Sequence, residues 1–116
     1  MQTSAKNLAT TTEADILNQL YDLLAQLHQP EEVKAFLTSF MTPTERLVFA
    51  KRLAIAWRLE QGQSYEEIGR DLNVSSATIS SAAEIRQNPA MKIAYEKLFL
   101  NTWLIAARRK LQFWKR

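Results

Sequence analysis

Residues able to do covalent chemistry are sparse in this chain. Cysteine is absent, and the one histidine, His28, stands at the end of an amphipathic segment with no acid, base or nucleophile spaced to work with it. Neither an enzyme nor a metal or organic cofactor is expected, and His28 reads as a capping or surface residue. The types and spacing that do suggest a task lie in residues 64–82 (SYEEIGRDLNVSSATISSA). Ile68, Leu72, Val74 and Ile79 are spaced to close a small core between two short helices that cross steeply, as in a helix-turn-helix. Gly69 stands where the first helix faces the second closely. Asn73 stands at the turn, where a positive φ is often required and asparagine tolerates it.

In that arrangement the second helix opens at Ser75 or Ser76 and enters the major groove by its N-terminal end, with Thr78 in its first turn. Its outward positions are Ser76, Ala77, Ser80 and Ser81. Hydroxyls pair with donors or acceptors and a methyl meets thymine, but no arginine is present to grip guanine, so direct readout is expected to be modest. Arg46, Lys51, Arg52, Arg70, Arg86 and Lys92 are candidate phosphate contacts that would position the protein without reading sequence. Two blander readings stand beside these. The serines and basic side chains can be ordinary solvated surface, and the same two-helix unit serves as plain packing in some domains.

The elements that must hold this motif are helical. Only two glycines and three prolines occur, and no run of short alternating strands is visible. Ile16, Leu17, Leu20, Leu23, Leu24 and Leu27 recur at helical spacing, and Thr12 with Asp15 resembles a capping box, which predicts a helix from near residue 13 after a flexible segment 1–12. Pro30 opens a shorter helix with Val33, Phe36, Leu37 and Phe40. Thr42-Pro43-Thr44-Glu45 is a strong start signal for a third helix, which runs to Gln61 before Gly62. That helix is apolar over most of its circumference, as a helix buried on several sides would be. Ser64 with Glu67 and Ser75 with Thr78 cap the motif's two helices, and Asn88-Pro89 opens a last helix, 89 to about 114. Its Met91, Ile93, Tyr95, Leu98, Phe99, Trp103, Leu104, Leu111, Phe113 and Trp114 are more apolar surface than a small domain leaves in water, which predicts that the helix is partly a subunit interface.

A length of 116 residues fits one domain, and 47% hydrophobic against 23% charged residues excludes a disordered chain. The lack of cysteine, of a signal-like N-terminus and of a long apolar run points to a cytoplasmic protein without stable membrane insertion. The net charge of +3 is uneven. Five of the fifteen bases lie in 108–116, and the remaining ten face twelve acids, so the body is mildly acidic and attraction to nucleic acid must come from local patches and this basic end.

From about Thr42 to Leu100 the chain resembles the tryptophan repressor superfamily. The resemblance is carried by M-T-P-T-E-R at 41–46, Arg52, the Gly62 stop, S-Y-E-E-I-G-R-D-L-N-V-S-S-A-T-I-S at 64–80, and the break at Asn88-Pro89. It implies an all-α, six-helix fold in an intertwined homodimer, with a helical body at 13–107, the helix-turn-helix at 64–86 and a basic end at 108–116. It implies a transcriptional regulator of duplex DNA, a repressor, with Ser75, Ser76, Ala77, Thr78, Ser80, Ser81, Arg70, Arg46 and Arg52 toward DNA. The family's corepressor pocket takes a threonine and an arginine from the third helix and an arginine and a serine from the recognition helix. Thr42 and Arg52 fit the first pair, whereas Ser81 stands in the second arginine's place and Ile85 in the serine's. A hydroxymethyl group does not replace a stacking guanidinium, so tryptophan is not expected as the effector, and any effector is unknown. Glu66 also departs from the family's pattern, which has a basic residue there.

One different class of function is left open by the residues themselves. The last helix with its basic end, and with Trp103, Phe113 and Trp114, also suits an interaction module or a helix lying on an anionic membrane surface.

Overall fold

The computed structural model describes the backbone of residues 2–114 and the side chains of residues 12–112. The expected roles of Lys115 and Arg116, and of the Phe113 and Trp114 side chains, lie outside the described residues. The order is α1 (Gln2–Gln26), α2 (Pro30–Phe40), α3 (Pro43–Glu60), α4 (Tyr65–Leu72), α5 (Ser76–Arg86) and α6 (Met91–Trp114), with no strand among the described residues. The all-α, six-helix expectation holds. The chain divides into two compact units, residues 1–46 and 47–116.

In the first unit, α1 starts at Gln2, not near residue 13. The Thr12–Asp15 pattern has a capping spacing, but the stretch before it holds alanines and a leucine with no glycine or proline to stop a helix. α2 opens with Pro30 at its first turn and Glu31 and Glu32 against the positive end of the helix dipole. Phe36 and Phe40 stack one turn apart, with centroids 5.2 Å from each other. Its C-terminus is closed from outside the helix: Arg46 Nη1 donates to the carbonyls of Thr38 (3.0 Å) and Met41 (2.7 Å). Thr42 and Glu45 form the complete capping box, with Glu45 N donating to Thr42 Oγ1 at 3.1 Å and Thr42 N to Glu45 Oε1 at 2.8 Å. The Thr42 backbone N–H, and to a lesser extent the Thr42 hydroxyl, hold the Glu45 carboxyl below its usual range. No described side chain of this unit is buried. Ile16, Leu17, Tyr21 and Phe40 face solvent.

The second unit has the core. Ile55 and Leu59 of α3 pack with Ile68 of α4 and Ile79 and Ala82 of α5, and Leu72, Val74 and Ala83 close over them. α3 is not buried on several sides as its composition suggested. Ile55, Ala56 and Leu59 are its buried residues, and Leu47, Val48, Phe49 and Leu53 are exposed. One face of α3 meets α4 and α5. Gly62, at φ +88°, ends α3. Its N–H donates to Leu59 O, and the N–H of Gln63 reaches back to Arg58 O, a paired closure that places the glycine in the left-handed region. α6 runs from Met91 and is led in by a tight turn at 88–90, where Asn88 Oδ1 accepts the N–H of Ala90 at 2.9 Å and the Asn88 carbonyl that of Met91.

Candidate nucleic-acid interface

The site is built from α4, α5 and the turn between them. Ser64, in extended conformation, accepts the N–H of Glu67 at 3.1 Å and starts α4. Eight residues later the helix stops at Asn73, whose φ of 53° and ψ of 57° put it in the left-handed region. The N–H groups of Asn73 and Val74 both close onto the carbonyl of Gly69. This bend turns the chain sharply enough for α5 to cross α4 at close range, and the tightness is measurable at Gly69. A Cβ there would lie 3.3 Å from the carbonyl oxygen of Val74 and 3.9 Å from Ile79 Cδ1. The first neighbour is backbone, so a larger side chain would have to push it back by a few tenths of an ångström, and the geometry favours the small residue expected here.

Ser75 caps α5 by accepting the N–H of Thr78 at 3.2 Å. The two hydroxyls also meet, Ser75 Oγ to Thr78 Oγ1 at 2.9 Å. Thr78, expected toward DNA or in the cap of its helix, has its hydroxyl in the cap. Ser76, Ala77, Ser80 and Ser81 are exposed, and from Ser75 to Ala83 the helix carries no charge. The far end of α5 is fastened by contacts between distant parts of the sequence. Arg86 Nε meets Glu60 Oε2 at 3.3 Å, and Tyr95 Oη donates to the Arg86 carbonyl at 3.2 Å. Trp57 stacks on Tyr95 with centroids 5.9 Å apart. Burial and the Glu60 carboxylate push the Tyr95 phenol up, against a smaller opposing effect of Arg86. Glu60 and Arg86 are 26 positions apart, so this clamp has no signature in the sequence.

The candidate phosphate contacts separate into two groups. Arg46 is engaged at the end of α2, and Arg86 is paired with Glu60. Arg70 is far freer: 71% of its side chain is exposed, and its Nε lies 3.7 Å from Asp71, whose other oxygen is held by Arg58 at 3.1 Å. Lys51 is half-buried, and Arg52 and Lys92 are exposed. Of the expected effector-pocket residues, Arg52 and Ile85 share a cavity of about 250 Å³ with Phe49, Leu53 and Met91. Ser81 is exposed and not among its lining residues, and the Thr42 hydroxyl caps α3. The cavity is thus an apolar slot with one guanidinium. No group of acidic or histidine side chains suited to a metal occurs among the described residues, and none of their helices is long and apolar enough to cross a membrane.

No curated protein and no solved structure matches the chain significantly. The family model of the Trp repressor protein matches residues 15–97, which covers α2 to α5, the later part of α1 and the start of α6. Members of that family are helix-turn-helix DNA-binding regulators and not enzymes. With the crossing at Gly69, the left-handed turn at Asn73 and this match over most of its length, the chain belongs to the Trp repressor family.

Proposed function

We propose that the protein is a homodimeric, sequence-specific repressor that inserts α5 into the major groove of duplex DNA. The observation that carries this reading is the α4–α5 crossing itself, which leaves the first turns of α5 exposed, capped and uncharged while its far end is clamped. Residues 64–86 are the DNA-contacting part, 13–107 the helical body, and 108–116 a basic end that adds attraction without selectivity. Arg70 and Arg52 contact phosphates. Ser76, Ala77, Ser80 and Ser81 face base edges through hydroxyls, methyls and water. Arg46 and Arg86 serve DNA through structure, because their guanidinium groups are committed elsewhere.

The dimer reading is supported by what the chain leaves uncovered. Phe99 and Trp103 of α6 are 64% and 59% exposed and Ile93 63%, while the second unit buries only small and aliphatic side chains. Burying such residues is worth about 1.5–3 kcal/mol each, and a second copy offers the same faces in return. Free tryptophan is not the effector, since the slot around Arg52 presents Ile85 in place of a polar partner. A duplex-DNA shift assay across a salt series tests the whole. Affinity should fall with a log–log slope of about −0.9 per phosphate contacted, Arg70→Ala should flatten that slope at all sites, and tryptophan should change nothing. Undetectable binding at low salt would sink the regulator reading.

A further inference from the structure

The readout surface of α5 is uncharged, but the groove where α4 meets its first turn is not. That groove, about 360 Å³, is lined by Tyr65, Glu66, Arg70 and Ser76 over Gly69 and Ile79. Glu66 is the second residue of α4 and shares a helix face with Gly69 and Arg70, the face that turns toward the start of α5. Glu66 and Arg70 have the spacing at which a glutamate and an arginine usually pair along a helix. They do not pair. Arg70 leans to Asp71, and Glu66 has no ion pair among the described residues. An exposed carboxylate with no cationic partner, favoured only by the positive end of the α4 dipole, therefore stands beside Ser76 at the edge of the recognition helix.

On a surface that approaches phosphates, such a charge weakens binding to every sequence unless it accepts a hydrogen bond. In the major groove guanine presents two acceptors, thymine one, and adenine an acceptor beside its amino group. Cytosine alone presents a donor and no acceptor there. A carboxylate has acceptors only, so cytosine N4 suits it best, the adenine amino group is offset by the acceptor N7 beside it, and the guanine and thymine edges repel it. We propose that Glu66 is a specificity-determining residue that accepts from the N4 amino group of one cytosine in the operator, while Arg70, one turn on, holds the adjacent phosphate. This inference rests on the DNA-binding reading above.

Selection of sites from a random duplex pool, run in parallel with the full-length protein and its Glu66→Ala and Glu66→Gln variants, tests it. The unmodified protein should show one position where cytosine is favoured about tenfold, within the 5- to 150-fold that one good base contact supplies. Glu66→Ala should flatten that position alone and bind cytosine-free sites at least as well as before. Glu66→Gln adds an amide donor and should admit adenine there. If the unmodified protein enriches no sequence, this inference falls together with the regulator reading. If it enriches a site and both variants reproduce the same base preferences, only the role of Glu66 is overturned.

Discussion

In the α4–α5 pair, Ile68 and Ile79 are 0% and 1% exposed, whereas on α6 Phe99 and Leu111 leave 64% and 61% of their surface in solvent. Both regions are rich in large apolar side chains. The difference is that α4 and α5 are eight and eleven residues long, joined by a turn that folds one apolar face onto the other, while α6 is a single rod of 24 residues with apolar side chains on more than one face. A short helical pair completes its packing within the chain. A long helix with two apolar faces satisfies one of them at most within the chain, and the other is the face that the proposed second copy would cover.

The sharpest way to break this contrast is to charge the uncovered face. Leu100→Glu with Leu104→Glu should convert a particle of about twice 13.4 kDa to one of 13.4 kDa in sedimentation, since each lost apolar burial is worth about 1.5–3 kcal/mol and each buried charge costs more. An unchanged mass would mean that this face of α6 is not an interface. Next in size is the finished core: Ile79→Ala should cost about 2–5 kcal/mol and lower the melting temperature on the order of 10 °C. Smaller again is the cap. Ser75→Ala removes the acceptor for Thr78 N and the partner of the Thr78 hydroxyl, and should cost about 1 kcal/mol. By contrast, Ser80→Ala on the same helix should leave stability within about 0.5 kcal/mol and reduce only discrimination between DNA sites. A melt that ranks these two serines equally would show that the cap is not formed.

The smallest effect concerns Glu45. Its carboxyl is depressed when folded, so its contribution is fully present above the ordinary value of 4.5 and is lost as pH falls through the lower folded value. The difference in melting temperature between the unmodified protein and Glu45→Gln should therefore be largest near neutrality and shrink in acid. A gap that grows as pH falls would contradict the capping box.

What was legible in the sequence is what local chemistry decides. The starts at Thr42, Ser64 and Ser75, the stop at Gly62 and the turn at Asn73 rest on side chains that bond their own neighbouring backbone, so residue type and spacing are enough. The core of Ile68, Leu72, Val74 and Ile79 was readable because it spans so short a stretch. The start of α1 was misplaced because a capping pattern alone cannot end a helix when good helix formers precede it. The engagement of Arg46, the pairing of Arg86 with Glu60 and the Tyr95 clamp depend on distant elements meeting, which no spacing rule encodes. The same limit applies to Glu66: its residue type was visible, but the groove it shares with Ser76 was not.

The closeness in sequence of Ile68, Leu72, Val74 and Ile79 also bears on the order of events after synthesis. Contacts between near neighbours along a chain close in microseconds to milliseconds, with little entropy lost in forming the loop. In the proposed dimer, covering α6 with a second copy is a bimolecular step whose rate depends on concentration. Refolding should thus show a fast phase independent of protein concentration followed by a slow one that scales with it. In a dilute cell, the DNA-reading unit would be assembled early and would then wait for its partner, so the amount of the protein, and not the speed of its folding, would govern when it becomes competent to bind.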